Sequence, residues 1–292
     1  MKTIEKDKPL AGTVTLVAGA TRGAGRGIAT ELGAAGAIVY VTGRSTRAIR
    51  SDMDRPETIE DTAEQVTAAG GQGIPVPCDH SDPAQVAALI TRITGAHDRL
   101  DLLVNDIWGG DPLSEWGTPF WQLDLTKFQT MWQRAVLTHL ITSQHVAPVM
   151  IAQKRGLIIE VTDGLGHDYR GNLAYDLTKT TVNRLALGQA EELRPHGITA
   201  LAVTPGFLRS EAMLELFGVT EDNWRDGAEK DPHFIASETP HFVGRVIAAL
   251  AADPEVHTRT GQVLSSWDLA EEYRIDDVDG RRPHWGRYFA TI

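Results

Sequence analysis

Short apolar runs rich in β-branched residues alternate along this 292-residue chain with longer stretches that have helical spacing. Each run is nearly continuous in apolar residues, which is typical of strands whose two faces are both covered by helices. The repeated order of strand, helix and strand predicts an α/β fold with a doubly wound parallel sheet. The seven runs are TVTLVAG, AIVYVTG, GIPVPCD, RLDLLVN, GLIIEVTD, GITALAVTP and GQVLSS.

The composition indicates one globular core. Apolar residues make up 42% of the chain, enough for a large core, and a charged fraction of 23% is ordinary. Neither a second core nor a low-complexity linker is evident, so residues 1–292 are predicted to form a single domain.

Charge and cysteine content exclude several classes of protein. The net charge is −11 with no basic block, which argues against binding to nucleic acid or to an anionic membrane. The single cysteine, Cys78, excludes a disulfide framework and a cysteine-rich metal site. The N-terminal MKTIEKDKPL lacks the apolar core of a signal peptide, and no apolar run approaches the roughly 18 residues of a membrane span. We expect a soluble cytoplasmic protein.

Three segments are longer than this fold requires. Residues 43–56 form an arginine-bearing loop after the second run, residues 207–238 follow the sixth, and residues 266–292 form a tail rich in Trp, Arg and Asp. Ligands of such sheets bind beyond the carboxyl ends of the strands. Residues 207–238 are therefore a candidate substrate lid, while the role of the tail stays open.

A glycine-rich turn leads from the first strand into a helix in TLVAGATRGAGRGIATELG. Gly19, Gly23 and Gly25 have a G-x-x-x-G-x-G spacing. Glycines in this context allow a tight turn and let backbone N–H groups approach a pyrophosphate at the helix N-terminus. The turn predicts a dinucleotide site; the alternative is an ordinary glycine turn.

Two arginines favour NADP(H) over NAD(H), although NAD(H) stays possible. An NAD site usually has an acid at the end of the second strand, where this chain has Gly43 followed by Arg44. Arg22 lies within the glycine turn, and two guanidinium groups can bind a 2′-phosphate. The alternative is that both are solvated surface arginines.

Tyr175 and Lys179 lie one helical turn apart in NLAYDLTKTTVNRLA, so their side chains share a face. They are either a proton donor and the charge that tunes it, or two exposed helix residues. A cation about 4 Å from the phenol, at an effective dielectric near 20, contributes about 4 kcal/mol. That energy would lower the phenol pKa from near 10 by about 3.

Taken together, these motifs resemble those of the short-chain dehydrogenase/reductase family. GATRGAG, PCDHSD, LLVNDIWGG, YDLTK and TPGFLRSE occur in the family's order and spacing over roughly residues 10–265. The resemblance implies a Rossmann-type fold and an NAD(P)-dependent oxidoreductase that acts on a carbonyl or alcohol of a small molecule.

The resemblance also implies roles for cofactor-binding residues. Asp79 matches the acid that contacts adenine, and Asn105 matches the first asparagine of the N-N-A-G motif, whose remaining positions depart from the motif. Pro205 and Gly206 match the pair that closes over the nicotinamide, and Ser210 replaces a common threonine. The full predicted set is Gly19, Thr21, Arg22, Gly23, Gly25, Arg44, Asp79, Asn105, Tyr175, Lys179, Pro205, Gly206, Leu208 and Ser210.

The catalytic residues that the resemblance implies include substitutions. Tyr175 is the expected general acid/base, and Lys179 is expected to bond the nicotinamide ribose as well. The serine that usually contacts the substrate oxygen is replaced by Thr162 or Asp163, and we expect Thr162 because it keeps a hydroxyl donor. His139 falls where an asparagine usually anchors a proton-relay water; it either substitutes for that asparagine or is a packed helix histidine.

Further expectations concern assembly and metals. Helices near 125–153 and 173–194 carry more apolar residues than one sheet face can bury, for example Val136, Leu140 and Ile141, which predicts a homodimer or homotetramer. The aromatic residues near 108–121 are equally consistent with a substrate pocket, with core packing and with a subunit interface. No metal is predicted, because His167, His233 and His241 lack metal-ligand spacing.

The leading functional prediction is therefore an NADP(H)-dependent oxidoreductase interconverting a carbonyl and an alcohol. One alternative is a nucleotide-binding regulatory protein with little turnover, supported by the altered N-N-A-G motif and the missing serine. Another is a lyase or epimerase that uses the same tyrosine without net redox chemistry.

Overall fold

A single seven-stranded parallel sheet forms the centre of the protein, in the order β3-β2-β1-β4-β5-β6-β7. The structure is a computed structural model that describes residues 8–50, 53–166 and 168–292. Each of the seven predicted runs overlaps one strand, which confirms the predicted sheet. The strands are β1 Val14–Ala18, β2 Ile38–Gly43, β3 Gln72–Pro77, β4 Leu102–Asn105, β5 Gly156–Val161, β6 Ile198–Thr204 and β7 Val263–Ser265.

Ten α-helices occur in the described part of the chain, and the longer ones cover both faces of the sheet. One face packs against α1, α2, α8 and α9, and the other packs against α3, α5 and α6. The helices are α1 Gly23–Ala34, α2 Ile59–Ala69, α3 Pro83–His97, α4 Leu125–Trp132, α5 Thr138–Gln153, α6 Leu173–Leu193, α7 Glu211–Phe217, α8 Pro240–Ala252, α9 Ser266–Tyr273 and α10 Trp285–Phe289.

Neighbouring residues of one strand belong to opposite cores, which explains the continuous apolar runs. Val17 and Leu102 pack on the α1 side, whereas Leu16 and Leu103 pack on the α3 side. All four side chains are at most 1% exposed. A strand with one solvated face would instead alternate apolar and polar residues.

The strand order reverses between β1 and β4, which creates a crevice at their carboxyl ends. β1 ends at Ala18 and β4 ends at Asn105, and these two residues are register partners. The glycine turn follows β1 directly. Ligands of doubly wound sheets bind at this type of switch point.

The N-terminus of α1 differs from those of α2 and α3. Thr58 caps α2 and Asp82 caps α3, each through a side-chain oxygen that accepts a backbone N–H. At α1 the capping position is Arg22, whose side chain makes no such bond among the described residues. The first N–H groups of α1 are therefore left for other acceptors.

A π-helical segment, Gln133–Leu137, joins α4 to α5 into one helical stretch. Within the described residues, only Leu125–Gln153 is long and apolar enough to cross a bilayer, which the sequence analysis did not anticipate. Half of its most apolar window is buried inside the protein.

The C-terminal tail packs against the candidate lid. Arg209 of the lid is buried, and its Nη2 lies 3.2 Å from Oδ2 of Asp279 in the tail. Its Nε also lies 3.2 Å from Glu221, and its guanidinium stacks on Trp224. The ring of Trp285 in α10 contacts Phe207 edge-on at a centroid distance of 5.8 Å.

Candidate active site

Tyr175 and Asp163 meet at the carboxyl edge of the sheet. The Tyr175 hydroxyl donates to Oδ2 of Asp163 across 2.7 Å. Asp163 follows β5 by two residues, and Tyr175 lies in the first turn of α6. Asn172 begins that helix by accepting the N–H of Tyr175 on its side-chain oxygen. A strand end and a capped helix start thus hold the pair.

Arg170 anchors the carboxylate that faces the phenol. Its guanidinium donates through Nη2 to Oδ1 of Asp163 at 2.7 Å and through Nε to Oδ2 at 3.3 Å. This two-point contact fixes the carboxylate plane. Asp163 is thereby presented to Tyr175 as a hydrogen-bond acceptor.

Thr162 faces the other way. Its hydroxyl donates to the backbone carbonyl of Lys179 at 3.1 Å, and the residue is 2% exposed. This corrects the expectation that Thr162 presents its hydroxyl to the substrate oxygen. Successive residues leaving a strand point to opposite sides, so only one of Thr162 and Asp163 can face the cleft.

Lys179 lies one turn beyond Tyr175 and is covered by an indole. Its Nζ is 4.1 Å from the ring centroid of Trp108 and 5.7 Å from that of Tyr175. Burial lowers the pKa of Lys179, while the nearby carboxylates of Asp163 and Asp106 oppose that shift. The aromatic face and the nearby carboxylates therefore offset part of the cost of burying the ammonium.

The pKa of Tyr175 departs from the sequence-based expectation. Burial, followed by the charge and hydrogen bond of Asp163, raises the pKa of Tyr175 well above 10. The predicted lowering by Lys179 is wrong for this structure because a carboxylate, not the ammonium, is the nearest charge to the phenol. Tyr175 is held as a protonated donor.

Two indoles flank the phenol. The centroid of Trp108 lies 5.5 Å and that of Trp116 lies 5.1 Å from the ring of Tyr175. Trp116 is 59% exposed, so its ring borders solvent at the cleft. Of the three readings of this aromatic segment, the contacts favour a pocket wall for these two residues.

His139 belongs to a buried polar network. Its Nδ1 is 2.7 Å from Oε2 of Glu160, and its Nε2–H donates to the carbonyl of Ile107 at 3.0 Å. Both ring nitrogens bond protein oxygens, which favours the packed-histidine alternative over a water-anchoring role.

Asn105 lies in the same network. Its amide donates to Glu160 and to Ser143, and the residue is fully buried. The amide of Asn105 therefore bonds protein oxygens, and its predicted place in the cofactor site stays a prediction.

The glycine turn forms a backbone cradle. A Cβ on Gly25 would lie 2.4 Å from the carbonyl oxygen of Gly19, and Gly23 has a φ of +57°, so both positions require glycine. The N–H of Gly23 donates to a carboxylate oxygen of Glu211 at 2.8 Å. A carboxylate oxygen thus occupies a backbone N–H at the start of α1, and a pyrophosphate that binds this N–H would have to displace it.

Arg22 reaches the carboxyl end of β2. Its Nη2 donates to Oγ of Ser45 at 3.2 Å, and its Nε lies 3.2 Å from Oε2 of Glu57. Thr21 is buried beneath Gly43. A Cβ built on Gly43 would lie 2.4 Å from Oγ1 of Thr21. The structure therefore brings Arg22 to the strand end where the sequence analysis placed a 2′-phosphate.

Arg44 and Asp79 also lie at this edge of the sheet. Arg44 is exposed and follows β2 directly. Burial opposes ionisation of Asp79, but hydrogen bonds from Ser81 and the charge of Arg44 lower the pKa of Asp79. The predicted adenosine side of the site is thus gathered around the ends of β2 and β3.

Gly206 is held by a buried carboxyl group. Its N–H donates to Oε2 of Glu238 at 2.9 Å, and Oγ of Ser266 donates to the same oxygen at 2.7 Å. Leu208 pairs with Glu238 in an isolated β-bridge, and Pro205 precedes Gly206 at the end of β6. Glu238 therefore holds the loop that is predicted to close over the nicotinamide.

Ser210 begins α7 by accepting the N–H of Met213. A Cβ built on Gly23 would lie 3.8 Å from the Cβ of Ser210. The start of the lid helix therefore sits against the glycine cradle. Because Glu211 follows Ser210, the same helix turn supplies the carboxylate that bonds the N–H of Gly23.

No group of three or more potential metal ligands occurs among the residues that the structure describes. His233 and His241 lie within that part of the chain, whereas His167 lies outside it.

Some site residues escaped the sequence analysis, although two left a signal. Glu160 is an acid inside the otherwise apolar run GLIIEV, and a carboxylate at a buried strand position requires polar partners. Arg170 stands in a glycine-bearing loop just before the Tyr175 helix, where a charge can face the cleft. No comparable sequence signal marks Glu57 or Glu238.

Comparisons with known proteins agree with this geometry. A model of the short chain dehydrogenase family matches residues 13–218, more than half of the chain. The chain belongs to the short-chain dehydrogenase/reductase family. It is a dehydrogenase/reductase with the Rossmann-like fold of that family, which confirms the resemblance seen in the motifs.

Relatives within this family cover nearly the whole chain. Mouse dehydrogenase/reductase SDR family member 1 is 34% identical over 278 residues, which are 94% of this chain and 85% of the relative. The human protein of that name is 33% identical over the same share of each chain.

Two solved structures are also similar. A short chain dehydrogenase from Mycobacterium thermoresistibile has a TM-score of 0.77 at 25% identity and covers 94% of this chain and 92% of its own. A metagenomic short-chain oxidoreductase solved in complex with NADP has a TM-score of 0.63 at 27% identity, covering 85% of this chain and 94% of its own.

Proposed function

We propose that this dehydrogenase/reductase interconverts a carbonyl and an alcohol of a small molecule with NADP(H), and that Tyr175 transfers the proton. The observation that carries the proposal is the 2.7 Å hydrogen bond from Tyr175 to Asp163, one helical turn from Lys179. This pair lies at the sheet edge that also holds the glycine cradle. A proton-transferring group and a dinucleotide cradle at one crevice suit hydride chemistry.

The cofactor would be held by the cradle of Gly19, Gly23 and Gly25, by Arg22 at the end of β2, and by the Gly206 loop. Bound there, a nicotinamide dinucleotide supplies hydride for reduction or accepts it in oxidation. The remaining steps belong to side chains of this chain.

Asp163 is placed to accept the hydroxyl proton of Tyr175. During oxidation, the substrate hydroxyl passes its proton to the Tyr175 oxygen while Tyr175 passes its own to Oδ2 of Asp163. Reduction starts once Asp163 has taken a proton from water: Tyr175 passes its hydroxyl proton to the substrate oxygen, which becomes a hydroxyl, and Oδ2 of Asp163 passes its proton to the Tyr175 oxygen. Arg170 keeps Asp163 in place through two hydrogen bonds, and Lys179 places positive charge beside the reacting group.

The preference for NADP(H) over NAD(H) rests on Arg22 and Arg44. Arg22 is fixed at the end of β2 by Ser45, and Arg44 follows the same strand. A 2′-phosphate carries a negative charge that guanidinium groups bind well. The NADP in the metagenomic relative supports the same choice.

We also propose a cytoplasmic homo-oligomer. The expected apolar examples need correction, because Val136 and Ile141 are at most 9% exposed within one chain. Leu137, Leu140 and Leu177 are each more than 40% exposed and lie on the helical stretches 125–153 and 173–194, whose surplus of apolar residues predicted a homo-oligomer. A two-fold contact that buries these leucines would remove apolar surface from water, which favours association of two chains.

Turnover on a panel of alcohols and ketones tests the catalytic proposal. Net change in nicotinamide absorbance with the wild-type protein, and its loss in Tyr175→Phe, would support it. Cofactor binding without turnover on the whole panel would favour a nucleotide-binding regulatory protein. Substrate conversion without net cofactor change would favour a lyase or epimerase.

A further inference from the structure

The long loop after β2 ends with the carboxylate of Glu57 close to the carboxyl end of that strand. Glu57 closes the loop just before α2 and is 9% exposed. Its Oε2 lies 3.2 Å from Nε of Arg22, and its Oε1 accepts Nη2–H of Arg55 at 2.8 Å. One shielded carboxylate is therefore shared by two arginines.

Glu57 is held in its ionised form. Burial opposes ionisation, but hydrogen bonds from Arg55 and the charges of Arg55 and Arg22 outweigh it and lower the pKa of Glu57. The side chain of Arg55 is itself 14% exposed and also pairs with Glu215 of the lid helix at 2.6 Å. Glu57 is therefore a shielded carboxylate held between two arginines.

The guanidinium of Arg22 is engaged on every nitrogen. Nε faces Glu57, Nη2 donates to Ser45, and Nη1 approaches the sulfur of Met53 at 3.7 Å. Of these acceptors only Glu57 is charged. A phosphate that binds Arg22 must therefore share the guanidinium with a carboxylate that repels it.

We propose that Glu57 is an internal counter-ion of Arg22 that limits how strongly this protein prefers a 2′-phosphorylated dinucleotide over an unphosphorylated one. The inference rests on the proposed function, which places the 2′-phosphate at Arg22. The carboxylate neutralises the guanidinium when no phosphate is present, and it opposes the phosphate when one arrives. Glu57 thus determines cofactor specificity by charge, without contacting the nicotinamide.

The test is cofactor binding by calorimetry, with NADPH and NADH titrated separately into the full-length protein. Glu57→Gln keeps the size of the side chain and removes its charge. It should tighten NADPH binding by about tenfold, because Arg22 is freed for a charge-assisted contact and a like charge is lost. NADH binding should stay within about twofold, because NADH has no 2′-phosphate.

Glu64→Gln is the matched control. Glu64 lies on α2, is exposed, and pairs with Arg47 instead of Arg22. It makes the same change in net charge and should leave both dissociation constants within about twofold. Glu57→Asp provides a second variant if the glutamine protein folds poorly. Withdrawing the carboxylate from Arg22 should tighten NADPH binding in the same direction by a smaller factor.

The outcomes separate this inference from the proposed cofactor preference. If wild-type protein binds NADH more tightly than NADPH, the proposed preference fails, yet Glu57→Gln must still tighten NADPH selectively for the inference to hold. If Glu57→Gln leaves NADPH binding unchanged or weakens it, Glu57 organises Arg22 instead of competing with phosphate, and the inference is overturned. Equal tightening of NADPH and NADH overturns it as well.

Discussion

The hydroxyl of Tyr175 donates to Asp163 across 2.7 Å, at the place where the family resemblance led us to expect a hydroxyl donor. The neighbouring Thr162 turns its hydroxyl beneath α6 to the Lys179 carbonyl. A carboxylate fixed by Arg170 cannot donate to a substrate carbonyl, but it can accept a proton through Tyr175. This arrangement makes Asp163 and Thr162 separable by mutation.

Asp163→Asn should lower kcat by about 10²–10⁴, the range for losing an acid–base group, while cofactor affinity changes by only a few-fold. Thr162→Val should keep most of the turnover and lose mainly stability, because its hydroxyl bonds a backbone carbonyl. Steady-state kinetics with a confirmed substrate provides the measurement. The reverse pattern would return the substrate-contacting role to Thr162.

Arg22→Ala and Arg44→Ala should each weaken NADPH binding and leave NADH nearly unchanged. Each removes one positive charge from the proposed 2′-phosphate site, and a charge-assisted hydrogen bond contributes about 1.5–3 kcal/mol, or roughly ten- to a hundredfold in affinity. Titrations of both cofactors measure the difference. Equal losses for NADH and NADPH would show that these arginines do not discriminate.

Glu160→Ala should be strongly destabilising. It leaves His139, Asn105 and Gln189 without the carboxylate that their side chains bond. Leaving a buried hydrogen-bonding group without its partner costs about 1–3 kcal/mol for each group. Glu191→Ala is the control, since Glu191 is 65% exposed and pairs with Arg194 at the surface. Urea unfolding of the two variants should differ by most of that amount, and similar midpoints would contradict the assigned network.

Stability should fall as pH rises through neutrality because of Glu238. Burial raises the pKa of Glu238 to about 8 from an ordinary value of 4.5. The folded protein therefore binds this proton more tightly than the unfolded chain, so the contribution is complete below about pH 4.5 and is lost as pH approaches 8. Glu238→Gln cannot ionise and should flatten that part of the curve. Chemical unfolding at about pH 5, 6, 7 and 8 gives the slope of the unfolding free energy against pH for each protein. Parallel slopes would contradict the raised pKa of Glu238.

Light scattering at micromolar concentration should give at least twice the monomer mass of 31.8 kDa. Leu140→Lys places a charge on the exposed helix face and should shift the protein toward monomer. Leu216→Lys is a comparison on the lid helix, where a leucine of 65% exposure lies away from the predicted contact. A monomer in the wild type would refute the proposed assembly.

Local patterns in the sequence predicted the sheet and the position of the main site. The central strands are short and mainly apolar on both faces, so their burial is encoded within the runs themselves. The turn containing Gly19, Gly23 and Gly25 is likewise a local signal, since tight backbone geometry selects the residue type. Tyr175 and Lys179 were found because helix periodicity alone places them on one face.

The charge environment could not be predicted in the same way. Asp163, Arg170 and Tyr175 meet because a strand end, a loop and a helix converge, and their spacing in sequence does not specify which carboxylate oxygen faces the phenol. The expected lowering of the Tyr175 pKa assumed that Lys179 was its nearest charge. The choice between Thr162 and Asp163 depended on a single residue of register, which decides the side to which every strand residue points.

The contact between Arg209 and Asp279 has a consequence for the order of events during synthesis. The two residues are separated by 70 positions, and the guanidinium of Arg209 is fully buried. The ribosome completes every strand of the sheet before it reaches residue 279. Strands β1 to β6 can therefore assemble while Arg209 still lacks one of its two carboxylate partners, and the lid reaches its final packing last. Newly made chains should pass through a stage in which the sheet is protease-resistant and the lid is still cleavable.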